Sequence, residues 1–230
     1  MNGRELYTTA TRHPVYHRPR CPNPQKSVSR FPHAQFLISA AAADQFPPDQ
    51  GAEVAFVGRS NAGKSSAINA IVQRQGLART SKTPGRTRLL NFFELAGQQR
   101  IVDLPGYGYA SAPEAERRSW QPMIEALKER QSLRGLFVIV DARRGITSGD
   151  EGLLDWSAPG HRLHVLLSKA DKLNRSESLA VLRSATKSLE GRGATVQLFS
   201  AHAKTGVDEA RDVLAAWLEE GGGVGSTGET

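Results

Sequence analysis

The sequence predicts an α/β fold: a mostly parallel twisted sheet with helices on both faces and one antiparallel hairpin. Three observations carry that prediction. Short apolar runs alternate with segments of helical periodicity along most of the chain. Several of the runs are continuous Val, Ile, Leu and Phe, the pattern of strands buried on both faces. A glycine-rich loop joins one such run to a helical segment, as in phosphate-binding strand–loop–helix units.

Taken in order, strands are expected at residues 34–39, 53–57, 89–95, 100–103, 136–141, 164–168 and 195–199. The third and fourth are separated by a turn containing Gly97, so they are expected to form the hairpin. Helical periodicity covers 64–72, 113–131, 150–157, 176–190 and 207–219. In the last of these, Val207, Ala210, Val213, Leu214, Trp217 and Leu218 share one face, which places Trp217 in the core rather than against a ligand. The chain shows no internal repeat.

The 230 residues are enough for one sizeable domain. No run approaches the ~18 apolar residues of a membrane span, and a soluble, cytoplasmic, monomeric protein is expected. The one cysteine, Cys21, excludes an internal disulfide framework and fits a reducing compartment. The histidines show no metal-ligand spacing.

Net charge is +7, unevenly spread. Residues 1–30 carry Arg4, Arg12, Arg18, Arg20, Lys26 and Arg30 against Glu5 alone, and four prolines interrupt them. Such a segment buries too little apolar surface to offset its ordering entropy, so it is expected to be a flexible basic arm. It attracts a polyanion such as nucleic acid or merely solubilises the chain; an organelle transit peptide is a third reading of an Arg-rich, acid-poor segment, against which its prolines argue. Residues 31–220 form the expected domain, and the Gly-rich residues 221–230 a frayed tail.

The strongest local signal is Gly58-Arg59-Ser60-Asn61-Ala62-Gly63-Lys64-Ser65, which matches G-x-x-x-x-G-K-[ST] between a strand and a helix. The glycines let the backbone wrap so that successive N–H groups point at phosphates. The following helix adds the positive end of its dipole. Lys64 supplies a compact charge for the β and γ phosphates, and Ser65 a hydroxyl for Mg²⁺.

Base choice is read from Ser168-Lys169-Ala170-Asp171, at the end of an apolar strand where ligands bind in open α/β sheets. It is similar to the N/T-K-x-D signature, in which the aspartate accepts from guanine N1–H and the 2-amino group and the lysine stem covers the ring. Adenine offers no donors there and would leave Asp171 unpaired. Phe199-Ser200-Ala201 ends the next strand and resembles a loop that touches the guanine oxygen.

On the γ-phosphate side, Asp103-Leu104-Pro105-Gly106 resembles D-x-x-G, with Asp103 holding Mg²⁺ through water and the Gly106 N–H sensing the phosphate. Upstream, residues 80–87 offer two threonines for a metal-sensing switch: spacing from Ser65 allows Thr83, and family pattern favours Thr87. Tyr107 stands where many GTPases place a water-positioning glutamine. Asn61 either helps to hold K⁺ beside the phosphates or only supports its loop.

Together these stretches resemble the EngB GTPases, also called the YihA/YsxC group. The matching runs are the phosphate loop, Thr80-Ser81-Lys82-Thr83-Pro84-Gly85-Arg86-Thr87 leading to Asn91-Phe92-Phe93, and Asp103-Leu104-Pro105-Gly106-Tyr107-Gly108-Tyr109-Ala110. Trp120, Arg130 and Leu133, and Ser168-Lys169-Ala170-Asp171-Lys172, extend the likeness to roughly residues 34–219. Ser168 replaces the usual threonine and keeps the hydroxyl, and residues 141–146 differ somewhat from the family's basic loop. The resemblance implies a P-loop NTPase fold of the Ras-like GTPase kind and slow GTP hydrolysis to GDP. It also implies a role in late assembly of the large ribosomal subunit, with contact to its precursor and rRNA, and a link to cell division and septation. Carried over, Lys64 and Thr87 are the catalytic residues and Ser65 and Thr87 bind Mg²⁺. Gly85, Arg86, Thr87, Arg88, Leu89, Asp103 to Gly106, Ser168 to Asp171 and Phe199 to Ala201 complete the nucleotide site.

Overall fold

The computed structural model describes residues 29–79, 89–106, 122–148, 150, 154 and 161–220. Seven strands form one sheet: β1 (Gln35–Ala40), β2 (Ala52–Gly58), β3 (Leu90–Ala96), β4 (Gln99–Asp103), β5 (Leu133–Asp141), β6 (Arg162–Ser168) and β7 (Thr195–Leu198). Their order is β1-β3-β4-β2-β5-β6-β7. β4, β2, β5, β6 and β7 are mutually parallel. β3 is antiparallel to β4, the expected hairpin, and also to β1, a second antiparallel pairing that the hairpin alone did not imply. Among the described residues, helices are α1 (Lys64–Ile71), α2 (residues 122–128), α3 (Arg175–Ser188) and α4 (Val207–Glu219), and residues 148, 150 and 154 are also helical.

The central strands are apolar throughout because both faces are covered. On one face Phe56 and Phe137 stack at 4.8 Å beneath Ile68 and Ile71 of α1 and Leu214 and Trp217 of α4. Trp217 lies edge-on to Phe137 at 5.2 Å, in the core position that its helical face predicted. On the other face Val102, Val138 and Val165 pack against Met123 and Leu127 of α2 and Ala185 of α3.

Helix boundaries follow their caps. The Asn174 side chain accepts from the Glu177 N–H and the Glu177 side chain from the Asn174 N–H, so α3 starts at Arg175, one residue before the periodicity begins. β5 starts three residues earlier than its apolar run, because Arg134 and Gly135 lie within the strand. A Cβ on Gly135 would sit 2.6 Å from the Arg162 carbonyl oxygen and 2.7 Å from the Trp217 ring, so the glycine admits Trp217 to the sheet rather than ending the strand.

Residues 1–28 and 221–230, read above as arm and tail, lie outside the described residues, as do most of 113–121 and 151–157. Arg30 is described, and it pairs with Asp212 and Glu219 on α4 at 2.9 and 3.0 Å. No helix among the described residues is long and apolar enough to cross a membrane.

Candidate functional site

Because β4, β2, β5, β6 and β7 run parallel, their carboxyl ends meet at one edge of the sheet. That edge receives in turn Asp103, Gly58, Asp141, Ser168 and Leu198. The sequence motifs, scattered from residue 58 to residue 201, therefore converge where open α/β sheets bind ligands.

The phosphate loop leaves β2 at Gly58 and turns back at Gly63, the residue before α1. Gly63 has φ +102°, a left-handed conformation that a side chain would strain. The turn aims the amino terminus of α1 into a cleft of about 430 Å³. It is lined by Ser60, Asn61, Gly63, Lys64 and Ser65 of the loop and helix start together with Leu89, Asp103, Leu104, Pro105 and Gly106. Arg59 also reaches the rim, but its guanidinium donates to Thr147 Oγ1 at 3.4 Å, on the loop after β5.

Across the cleft the Lys64 ammonium is ion-paired with Asp103 Oδ1, both groups being about nine-tenths buried. Burial pushes the Asp103 carboxyl up, while Lys64 and a hydrogen bond with Asn91 pull it back down. Ser65 Oγ donates to the Arg79 carbonyl oxygen at 3.4 Å. The Ser65 hydroxyl and the Asp103 carboxylate are oxygen donors lining one cleft, the chemistry that a hard dication takes, so they fit Mg²⁺.

The side expected to face the base is tied to the phosphate loop. Ser168 Oγ reaches the Ala62 carbonyl oxygen at 2.5 Å and that of Val140 at 3.0 Å, which is why a hydroxyl at this position matters. The Lys169 ammonium donates to the Asn61 carbonyl oxygen at 2.6 Å and to Asp141 Oδ2 at 2.9 Å. The Ala170 N–H donates to the Phe199 carbonyl oxygen at 3.1 Å, joining the two base loops. Phe199 is buried as a whole residue, and its N–H donates to the Leu167 carbonyl oxygen at 2.9 Å. Asp171 Oδ1 accepts from the Ser200 hydroxyl at 2.6 Å, and that bond holds the carboxyl below its ordinary value. Ala201, beside Ser200, packs partly buried against the core.

Gly85, Arg86, Thr87 and Arg88, with the alternative Thr83 and the run 107–110, lie outside the described residues. Two residues were given no role by the motifs. Asn91 hydrogen-bonds Asp103 and itself accepts from Ser39 at 2.6 Å. Asp141 carries Lys169, and the available signal was an acidic residue closing a buried strand at the ligand edge.

Comparison with known proteins agrees with this geometry. The profile of a family described as 50S ribosome-binding GTPase matches residues 53–169. A protein of Coxiella burnetii (strain RSA 493 / Nine Mile phase I), named "Probable GTP-binding protein EngB", is 47% identical over 197 residues, covering 84% of this chain and 96% of its own. A protein of the same name from Azoarcus sp. (strain BH72) is 51% identical over 193 residues, 82% of this chain and 92% of its own. Among solved structures, one described as "a probable GTP-binding protein engB" superposes with TM-score 0.58 at 20% identity, covering 74% of this chain and all of that one. Era, solved with MgGDPNP and a fragment of 16S ribosomal RNA, superposes with TM-score 0.57 at 20% identity, covering 79% of this chain and 59% of that one. At such identities these two support the fold alone.

Proposed function

This chain belongs to the EngB family of GTP-binding proteins and is a P-loop GTPase, and from that premise we propose that it is a slow, Mg²⁺-dependent switch in late assembly of the large ribosomal subunit. The observation that carries the chemistry is the convergence of Lys64, Ser65, Asp103, Lys169 and Asp171 at one sheet edge. The ribosomal role is supported by family membership and by the description of the matched family. A cytoplasmic location and the link to cell division and septation rest on the same support.

In this mechanism GTP lies with its phosphates against the amino terminus of α1 and its base between Lys169 and Asp171. Lys64 leaves Asp103 for the β and γ phosphates, exchanging one buried ion pair for another. Water attacks the γ-phosphorus and the bond to the bridging oxygen breaks, releasing phosphate and GDP. The loop N–H groups and Lys64 stabilise the charge that spreads over the phosphoryl oxygens. Ser65 and, through water, Asp103 would hold Mg²⁺, with Thr87 joining them beside a γ-phosphate, and the ion would supply neutralisation of the phosphate charge. A K⁺ held by Asn61 would lie beside the phosphates and add charge there.

Two measurements follow. In a pelleting assay, large-subunit particles are expected to retain the protein with a non-hydrolysable GTP analogue and to release it with GDP. Protein that ignores these particles in every nucleotide state contradicts the ribosomal role and leaves the GTPase standing. Single-turnover hydrolysis should be faster in KCl than in NaCl at equal ionic strength, and Asn61→Ala should abolish the difference. Equal rates in the two salts reduce Asn61 to loop scaffolding.

A further inference from the structure

Lys169 is fixed at both ends. Its backbone has φ +59°, a left-handed conformation unusual for a residue with a side chain. Its ammonium is held by the Asn61 carbonyl oxygen and by Asp141, and between these points its stem runs along the phosphate loop, with Cε 3.9 Å from where a Cβ on Gly63 would sit. Asp141 is the charged partner in this arrangement. It closes β5 in register with Ser168, the residue before Lys169, so the parallel ladder itself delivers the carboxylate to the lysine.

Asp141 is buried and shared between two cations. Oδ1 accepts from the Arg143 backbone N–H at 3.1 Å and from Arg143 Nε at 2.9 Å, while Oδ2 accepts from Arg143 Nη2 at 2.6 Å and from Lys169 Nζ at 2.9 Å. Arg143 has a half-exposed side chain, and it competes with Lys169 for the same oxygen.

We propose that Asp141 is a positioning residue for guanine recognition, holding Lys169 extended across the base site, with Arg143 limiting how tightly it does so. The proposal rests on the assignment of Lys169 and Asp171 to the base. A free lysine stem must lose its rotamer freedom when a ring docks against it, whereas a stem already held by a buried carboxylate has lost that freedom on folding. Arg143, followed by Lys169, holds the Asp141 carboxyl well below the usual carboxylate range, so the anchor stays charged at neutral pH.

The two cations separate this role from simple loop scaffolding. If Asp141 only fastened its own turn, it would act through Arg143, and removing either residue would have the same effect. If it positions Lys169, removing Arg143 frees Oδ2 for the lysine and the effects diverge. The test uses full-length Asp141→Ala, Asp141→Asn and Arg143→Ala proteins. It measures GDP affinity and dissociation rate, and affinity for Mg²⁺-tripolyphosphate, a probe of the phosphate loop that has no base. Asp141→Ala is expected to weaken GDP about five- to tenfold, the scale of one long side chain left unordered, and to speed its release, with tripolyphosphate binding unchanged. Asp141→Asn should fall between, since an amide oxygen still accepts from Lys169. Arg143→Ala should match or exceed wild-type GDP affinity. Equal losses for GDP and tripolyphosphate, an Arg143→Ala protein that copies Asp141→Ala, or no loss in Asp141→Ala would each overturn the proposal. Wild-type protein binding ADP as tightly as GDP would instead remove the base assignment beneath it.

Discussion

Asp171→Asn is expected to weaken GTP binding on the order of a hundredfold and to confer binding of xanthosine triphosphate. The carboxylate is held in place by its own neighbours. Ser200 donates to Oδ1 at 2.6 Å, Lys172 lies 3.2 Å from Oδ2, and the short helical turn Ala170–Lys172 fixes the backbone. Two acceptor oxygens in a fixed plane match the two donors on the guanine edge. An asparagine turns one acceptor into a donor, which faces the guanine 2-amino group badly and the 2-oxo group of xanthine well. The Ser200 hydroxyl can still donate to the remaining amide oxygen, so the loop should keep its shape. Competition titrations with GTP, xanthosine triphosphate and ATP report the outcome. Loss of GTP binding with no gain for the xanthine nucleotide would mean that the substitution disrupts the loop rather than its specificity.

The second large effect lies at the opposite end of the sheet. Glu53 is fully buried in β2 and meets two arginines. Oε1 accepts from Arg100 at 2.6 Å and from Arg130 at 2.9 Å, and Oε2 from Arg130 at 2.7 Å. The arginines reach onward to the Pro47, Pro48 and Gln50 carbonyl oxygens. Asp49 accepts from the backbone N–H groups of Gln131 and Ser132, so the strand that enters the phosphate loop is tied to the two strands beside it. Removing one member of a buried ion cluster leaves the others without compensation, so Glu53→Ala should cost about 3–5 kcal/mol. For a chain of this length that lowers the unfolding midpoint by roughly 6–20 °C. Thermal unfolding without nucleotide measures this. The folded fraction should keep its preference for guanine, because the cluster sits at the amino-terminal ends of the strands, away from the cleft. A cost below about 1 kcal/mol would show that the three charges offset their own desolvation only weakly.

The two predictions also mark what could be read from sequence. Phosphate chemistry is local: eight consecutive residues shape the loop from Gly58 to Ser65, and their glycines and lysine have few other uses in that context. The candidate for base recognition was legible for a similar reason, since Ser168 to Asp171 are four adjacent positions at a strand end. The Glu53 cluster was not, because its members are 47 and 77 residues apart and no local pattern links a buried glutamate to arginines that distant. Asp141 escaped in the same way. Its partner Lys169 is 28 residues on, and only the register of β5 with β6 brings them together. The early start of β5 was hidden because Gly135 looks like a strand breaker until Trp217, far along the chain, is placed against it. Local chemistry can be read from adjacent residues, whereas its supports depend on which strands lie side by side.

The central claim is that this cleft selects guanine nucleotides through Asp171 and Lys169 and holds their phosphates on the loop before α1. The most direct test is an equilibrium titration of the wild-type protein with labelled GTP and GDP in Mg²⁺, challenged with unlabelled ATP. GTP and GDP should bind, and ATP should compete at least roughly a hundredfold less well, since adenine leaves the Asp171 carboxylate unpaired. ATP that displaces GTP at comparable concentration would contradict the account.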